Sequence, residues 1–117
     1  LRIRPGKRTV ALSEYGGIAW PMPGHEPKGK TYGYGTAGSR EELTGRYKKL
    51  QLGSVLPQLE RGLSALVYTQ LTDVEDEVNG LFTYDRSALK PDAMAVRSVN
   101  AAFAAEFARV TGETTKK

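Results

Sequence analysis

Cysteine is absent from the 117 residues, which excludes disulfide bridges, thiolate metal sites and thiol catalysis while leaving either redox compartment open. Histidine and tryptophan occur once each, as His25 and Trp20. A lone His without partners at metal-ligand spacing reads as a surface loop residue rather than a ligand or a base. No apolar run approaches the roughly 18 residues of a membrane span. No signal-peptide pattern opens the chain, which starts at Leu1. No membrane partner is expected, and the compartment stays open.

What is present fits one ordinary domain, with 39% hydrophobic and 26% charged residues. The formal charge is +4, and much of the excess sits at the ends, in Arg2, Arg4, Lys7, Arg8, Lys116 and Lys117. It follows neither one helical face nor a row of stacking aromatics, so no dedicated nucleic-acid site is expected.

The chain is organised around Ser13-Glu14-Tyr15-Gly16-Gly17, which follows the short apolar run Thr9-Val10-Ala11-Leu12. This predicts a strand over about 9–13 whose tip carries a functional carboxylate, Glu14, with a sharp glycine exit behind it. The plainer reading is a strand-end Glu that faces solvent or pairs with an Arg. From Ile18 to Gly38, prolines 21, 23 and 27 interleave with glycines, so a long irregular loop is expected. Its aromatics Trp20, Tyr32 and Tyr34 can line a cleft or pin the loop to the fold.

Ser39-Arg40-Glu41-Glu42 matches a capping box. It predicts a helix that runs on through Leu43, Tyr47 and Leu50, is kinked or restarted by Gly53 and Pro57, and stops at Gly62. The run Leu63 to Leu71 is apolar at successive positions, which predicts a strand covered on both faces, as in a parallel sheet. Ligands of such sheets gather beyond the carboxyl ends of the strands, where Glu14 and the segment Thr69 to Asp73 would meet. Four carboxylates follow in Asp73-Val74-Glu75-Asp76-Glu77 before Asn79-Gly80. Their spacing does not fit an EF-hand loop. A solvated loop closed by a tight Asn-Gly turn accounts for most of them. Lys90-Pro91-Asp92 then opens a last helix with Met94, Val96, Val99, Phe103, Phe107 and Val110 on one face.

The ordered set Ser13-Glu14-Tyr15-Gly16-Gly17, the capped helix, Val67-Tyr68-Thr69-Gln70-Leu71-Thr72-Asp73-Val74-Glu75-Asp76-Glu77-Val78-Asn79-Gly80, Thr83-Tyr84-Asp85-Arg86 and Lys90-Pro91-Asp92 resembles the C-terminal part of the catalytic barrel of glycoside hydrolase family two. That family includes β-galactosidases, β-glucuronidases and β-mannosidases. The resemblance extends from about Thr9 to Phe107 and implies an α/β fold that is a fragment of a (β/α)8 TIM barrel, residues 1–117 supplying strand seven, helix seven, strand eight and helix eight. It implies that Glu14 is the nucleophile of a retaining β-glycosidase, with Trp20, Tyr68, Gln70 and Asp73 as substrate contacts and no cofactor or metal. The family's acid/base residue lies in an Asn-Glu pair, and no such pair occurs here. Where some members carry a Trp platform, this chain has Tyr68-Thr69-Gln70, which leaves the sugar undefined.

The expected partners are therefore a carbohydrate substrate and the remainder of the barrel. An isolated chain would be inactive and would self-associate through its open edges. The competing reading is a non-catalytic module that binds carbohydrate through Trp20, Tyr32 and Tyr34, or nucleic acid through its basic ends.

Overall fold

Strand β1 spans Val10–Gly16 in a computed structural model that describes residues 3, 4 and 6–112. It is longer than the sequence pattern predicts, so Glu14 lies inside the strand. Strand β2, Leu63–Thr69, lies parallel to it. Leu12 pairs with Leu66 and Tyr15 with Tyr68, so three steps along β1 match two along β2. One extra residue is thus taken up at Ser13-Glu14, opposite Val67.

This bulge has a packing cause. Val10, Leu12 and Tyr15 all pack against the buried cluster of Val55, Leu59 and Leu63. Strict alternation would turn Tyr15 to the other face from Leu12. The inserted residue restores Tyr15 to the helix side and leaves Ser13 and Glu14 exposed. A second irregularity at Ser64 does the same for Leu63 and Leu66.

The crossover begins as the capping box predicts. The Ser39 hydroxyl accepts from the Glu42 N–H at 3.1 Å, and the Glu42 carboxylate accepts from the Gly38 N–H at 2.8 Å. Helix α1 runs Arg40–Lys48, loosens into a π-helical segment at Lys49–Val55, and tightens into a 3-10 segment at Leu56–Arg61. The pitch first changes at Lys49, ahead of Gly53, and again at Leu56, next to Pro57. Gly62, at φ 94°, ends the helix in the left-handed conformation. Ser39→Ala is expected to lower stability by about 1 kcal/mol in urea denaturation. The Gly38 N–H first, and Arg46 with it, hold the Glu42 carboxyl below its ordinary value. Its stabilising contribution is therefore complete above the ordinary carboxylate range and is lost as pH falls through the lowered value.

Helix α2, Ala93–Thr111, starts at Asp92, whose carboxylate accepts from the Ala95 N–H at 2.8 Å. Val99 is buried and Phe103 packs on the Val55 cluster. Met94, Phe107 and Val110, expected on the same buried face, are exposed. The described residues supply a two-stranded parallel sheet with helices against one face only, too little surface to cover the whole apolar stripe.

The same limit corrects the expectation for β2. Its run is not covered on both faces: Val67 is 56% exposed, and the strand stops at Thr69 before the exposed Leu71. The tight turn is also displaced. Val74 and Glu77 exchange backbone hydrogen bonds at 3.0 and 2.9 Å, with Glu75 at φ 52°, so the turn tip is Glu75-Asp76. Asn79 and Gly80 are instead buried. A Cβ on Gly80 would stand 2.2 Å from the backbone of Thr72 and Asp73, so glycine serves close packing there.

Candidate functional site

Past the bulge, β1 leaves the sheet through Gly16 at φ 107° and Gly17 at φ 69°. Both positions need glycine twice over, for the backbone angle and for space. A Cβ on Gly16 would lie 2.5 Å from the Tyr68 ring, and one on Gly17 2.4 Å from the Tyr34 ring. The Gly17 N–H donates to the Thr69 carbonyl at 2.8 Å, and the Gly17 carbonyl accepts from the Tyr34 N–H at 2.7 Å. These contacts enclose a cleft of about 280 Å³ lined by Glu14, Tyr15, Gly16, Gly17, Tyr34 and Thr69. It opens at the carboxyl ends of both strands, where parallel sheets gather ligands.

Tyr34 is 66% exposed and packs edge-on to Tyr32, with ring centroids 5.8 Å apart. Tyr32, then the Glu14 and Glu77 carboxylates, push the Tyr34 phenol above its ordinary value, so it stays protonated at neutral pH.

Three expected substrate contacts are placed differently. Trp20, at 9% exposure, is buried with Ile18, Ala37 and Leu43 beneath the long loop, so it pins that loop and does not line the cleft. The Tyr68 ring lies between Tyr15 and Tyr47, at 5.4 and 5.5 Å in edge-on contacts, on the helix side of the sheet. Burial first, then the neighbouring phenols, raise its pKa. Asp73 is buried against Lys90 and the Gly80 N–H, each accepted by Oδ1, at 2.7 and 2.8 Å. It is a structural anion rather than a sugar contact. Gln70 keeps a polar side chain at the rim: its amide donates to Asn79 Oδ1 at 2.7 Å and to Glu77 Oε2 at 3.1 Å.

A larger cavity, about 620 Å³, lies between the loops that carry His25 and Asp85. His25 Nδ1 is 2.9 Å from Asp85 and 3.3 Å from the Ser87 hydroxyl. The Thr83 hydroxyl, then the Ser87 N–H and hydroxyl, then His25, hold Asp85 well below the usual carboxylate range. His25 thus fastens one loop to another instead of standing free. No local pattern signals this contact between residues 60 positions apart.

Among the described residues, no group of three or more His, Asp or Glu is arranged to hold a metal ion, and no helix is long and apolar enough to cross a membrane. Arg2, Lys116 and Lys117, which carry part of the basic excess, lie outside the described residues. Comparison with known protein families and with curated proteins finds no match for the chain.

Proposed function

We propose that this chain is the C-terminal part of the catalytic barrel of a retaining β-glycoside hydrolase and contributes Glu14 as the nucleophile. One observation carries the reading. Glu14 is lifted out of strand register by a bulge, on the uncovered face of a parallel sheet, beside a cleft at the strands' carboxyl ends. A barrel lumen would occupy that uncovered face. Glu14 would attack the anomeric carbon while an acid, from elsewhere in the barrel, protonates the departing oxygen. Water, activated by the same acid/base residue, would then release the sugar with retained configuration. The second carboxylate must stand about 5–5.5 Å from Glu14. The burial of Trp20 removes the central aromatic of the competing binding-module reading.

Aryl β-glycoside hydrolysis tests the proposal. The isolated chain should give no turnover, and the chain reassembled with the preceding barrel strands should be active. Glu14→Gln should lower that activity about a thousandfold or more. Turnover by the isolated chain, or an active Glu14→Gln variant, would overturn the assignment.

The exposed strand edges and the bare face around Val67 also predict self-association of the isolated chain. Light scattering should give an oligomeric mass. A monodisperse monomer would contradict this.

A further inference from the structure

On the helix side of the sheet, behind Glu14, a further cavity of about 310 Å³ lies between β1, β2, the helical crossover and α2. Its lining combines the phenol rings of Tyr15, Tyr47 and Tyr68 with the apolar side chains of Leu66 and Phe103. The rings already stand edge-on, Tyr68 at 5.4 Å from Tyr15 and 5.5 Å from Tyr47. One more ring can continue that edge-to-face order. Asn100, exposed on α2, adds an amide to the lining. Among the described residues, no charged side chain lines the cavity.

Two of the three phenols are engaged with the protein. Oε1 of the buried Gln51 accepts from the Tyr15 hydroxyl at 2.8 Å, and the same amide stands against the Tyr47 phenol. The Tyr68 hydroxyl differs, because among the described residues it meets no hydrogen-bond partner. Nor is it sealed in the core, where Gln58 Oε1 is the one buried side-chain atom left without a partner among the described residues. Burial keeps the Tyr68 phenol protonated at neutral pH, so it can donate to a ligand oxygen as well as accept. A neutral ring with one hydroxyl satisfies that group, whereas an anion would enter without a counter-charge.

We propose that this cavity is a binding site for small, uncharged single-ring phenols, held by the Tyr68 hydroxyl and the edge-on tyrosines. The site is separate from the Glu14 cleft and does not rest on the glycosidase reading. It borders that cleft at one point, since a Cβ on Gly16 would lie 2.5 Å from the Tyr68 ring. Occupancy should therefore also be felt at the Gly16 amide.

The test is a ¹H–¹⁵N titration of the full chain with phenol, cyclohexanol and benzoate at neutral pH. Phenol should give saturable shifts at the Gln51 side-chain amide and at the Tyr68 and Asn100 backbone amides, with a midpoint of about 10 mM or lower. Cyclohexanol keeps the hydroxyl and loses the aromatic ring, so it should bind at least about threefold more weakly. Benzoate should bind at least about tenfold more weakly. Tyr68→Phe should weaken phenol binding about fivefold and leave the urea midpoint unchanged, because the hydroxyl has no partner within the protein. The comparison among ligands uses the unaltered chain, so it stands even if the variant fails to fold. No saturable shift at these amides, cyclohexanol or benzoate binding as tightly as phenol, or undiminished phenol binding by a folded Tyr68→Phe variant would overturn the proposal. Loss of the Glu14 assignment would leave this result untouched, and the reverse also holds.

Discussion

Lys90→Met is expected to destabilise the fold by about 3–5 kcal/mol, the cost of leaving one partner of a buried ion pair uncompensated. Lys90 and Asp73 have side-chain exposures of 0% and 2%, and their charged atoms stand 2.7 Å apart. The Lys90 ammonium also donates to the Val78 carbonyl at 2.8 Å. Burial pushes the Lys90 pKa down and Asp73 opposes the shift. Removing the ammonium strands the Asp73 carboxylate in the interior. Against a total stability of roughly 5–15 kcal/mol for a domain of ordinary size, such a loss unfolds a large share of the molecules. The double variant Asp73→Asn, Lys90→Met should recover much of it, because Asn keeps an acceptor for the Gly80 N–H without a charge. Urea denaturation of the single and double variants checks this. A single-variant cost below about 1 kcal/mol would mean that the pair is hydrated.

The next largest effect belongs to the strand exit. Gly17→Ala is expected to cost about 3 kcal/mol, of which 1–2 kcal/mol is the left-handed backbone and the remainder the collision with Tyr34. Gly24 separates the two contributions. It has φ 85° with nothing within 4 Å of a Cβ, so Gly24→Ala should show the backbone cost alone. The Gly17 variant should also displace Tyr34 from the cleft, visible as amide shifts around residues 33–35. Equal costs at the two glycines would mean that the Tyr34 ring moves aside freely.

Local sequence signals decide the outcome where a residue's partners are its own chain neighbours. Ser39 and Glu42 cap a helix because both partners lie within one turn. Pro57 falls where that helix changes pitch a second time, a backbone effect. The parallel pairing followed from two apolar runs joined by a long helical crossover. What escaped depends on contacts made across the fold. The bulge at Glu14 exists because Tyr15 must reach a core formed 36 or more residues later, where its hydroxyl donates to Gln51. Asn79-Gly80 has the composition of an exposed turn, yet close packing against Asp73 buries it. Asp73 reads as one of a row of acids, and only its meeting with Lys90 sets it apart. Trp20 likewise has no local mark that distinguishes a cleft wall from a loop anchor.

At the candidate site, Glu14 and the glycine exit were legible because residue types and order alone define them. Glu77 and Tyr34 were visible only as an acid in a row and a loop aromatic. Their common location comes from the backbone bonds of Tyr32 to Asp76 and Val78 and from Tyr34 to Gly17.

The most direct measurement is covalent trapping of the proposed nucleophile, Glu14, in the chain reassembled with the further barrel strands that the proposal requires. A 2-deoxy-2-fluoro aryl β-glycoside slows release of a glycosyl intermediate, and peptide mass spectrometry then locates the modified carboxylate. One equivalent of label on Glu14, with retained configuration in the product from the unfluorinated substrate, is the predicted result. Label on any other residue, or inverted product, would contradict the assignment of Glu14 as the nucleophile.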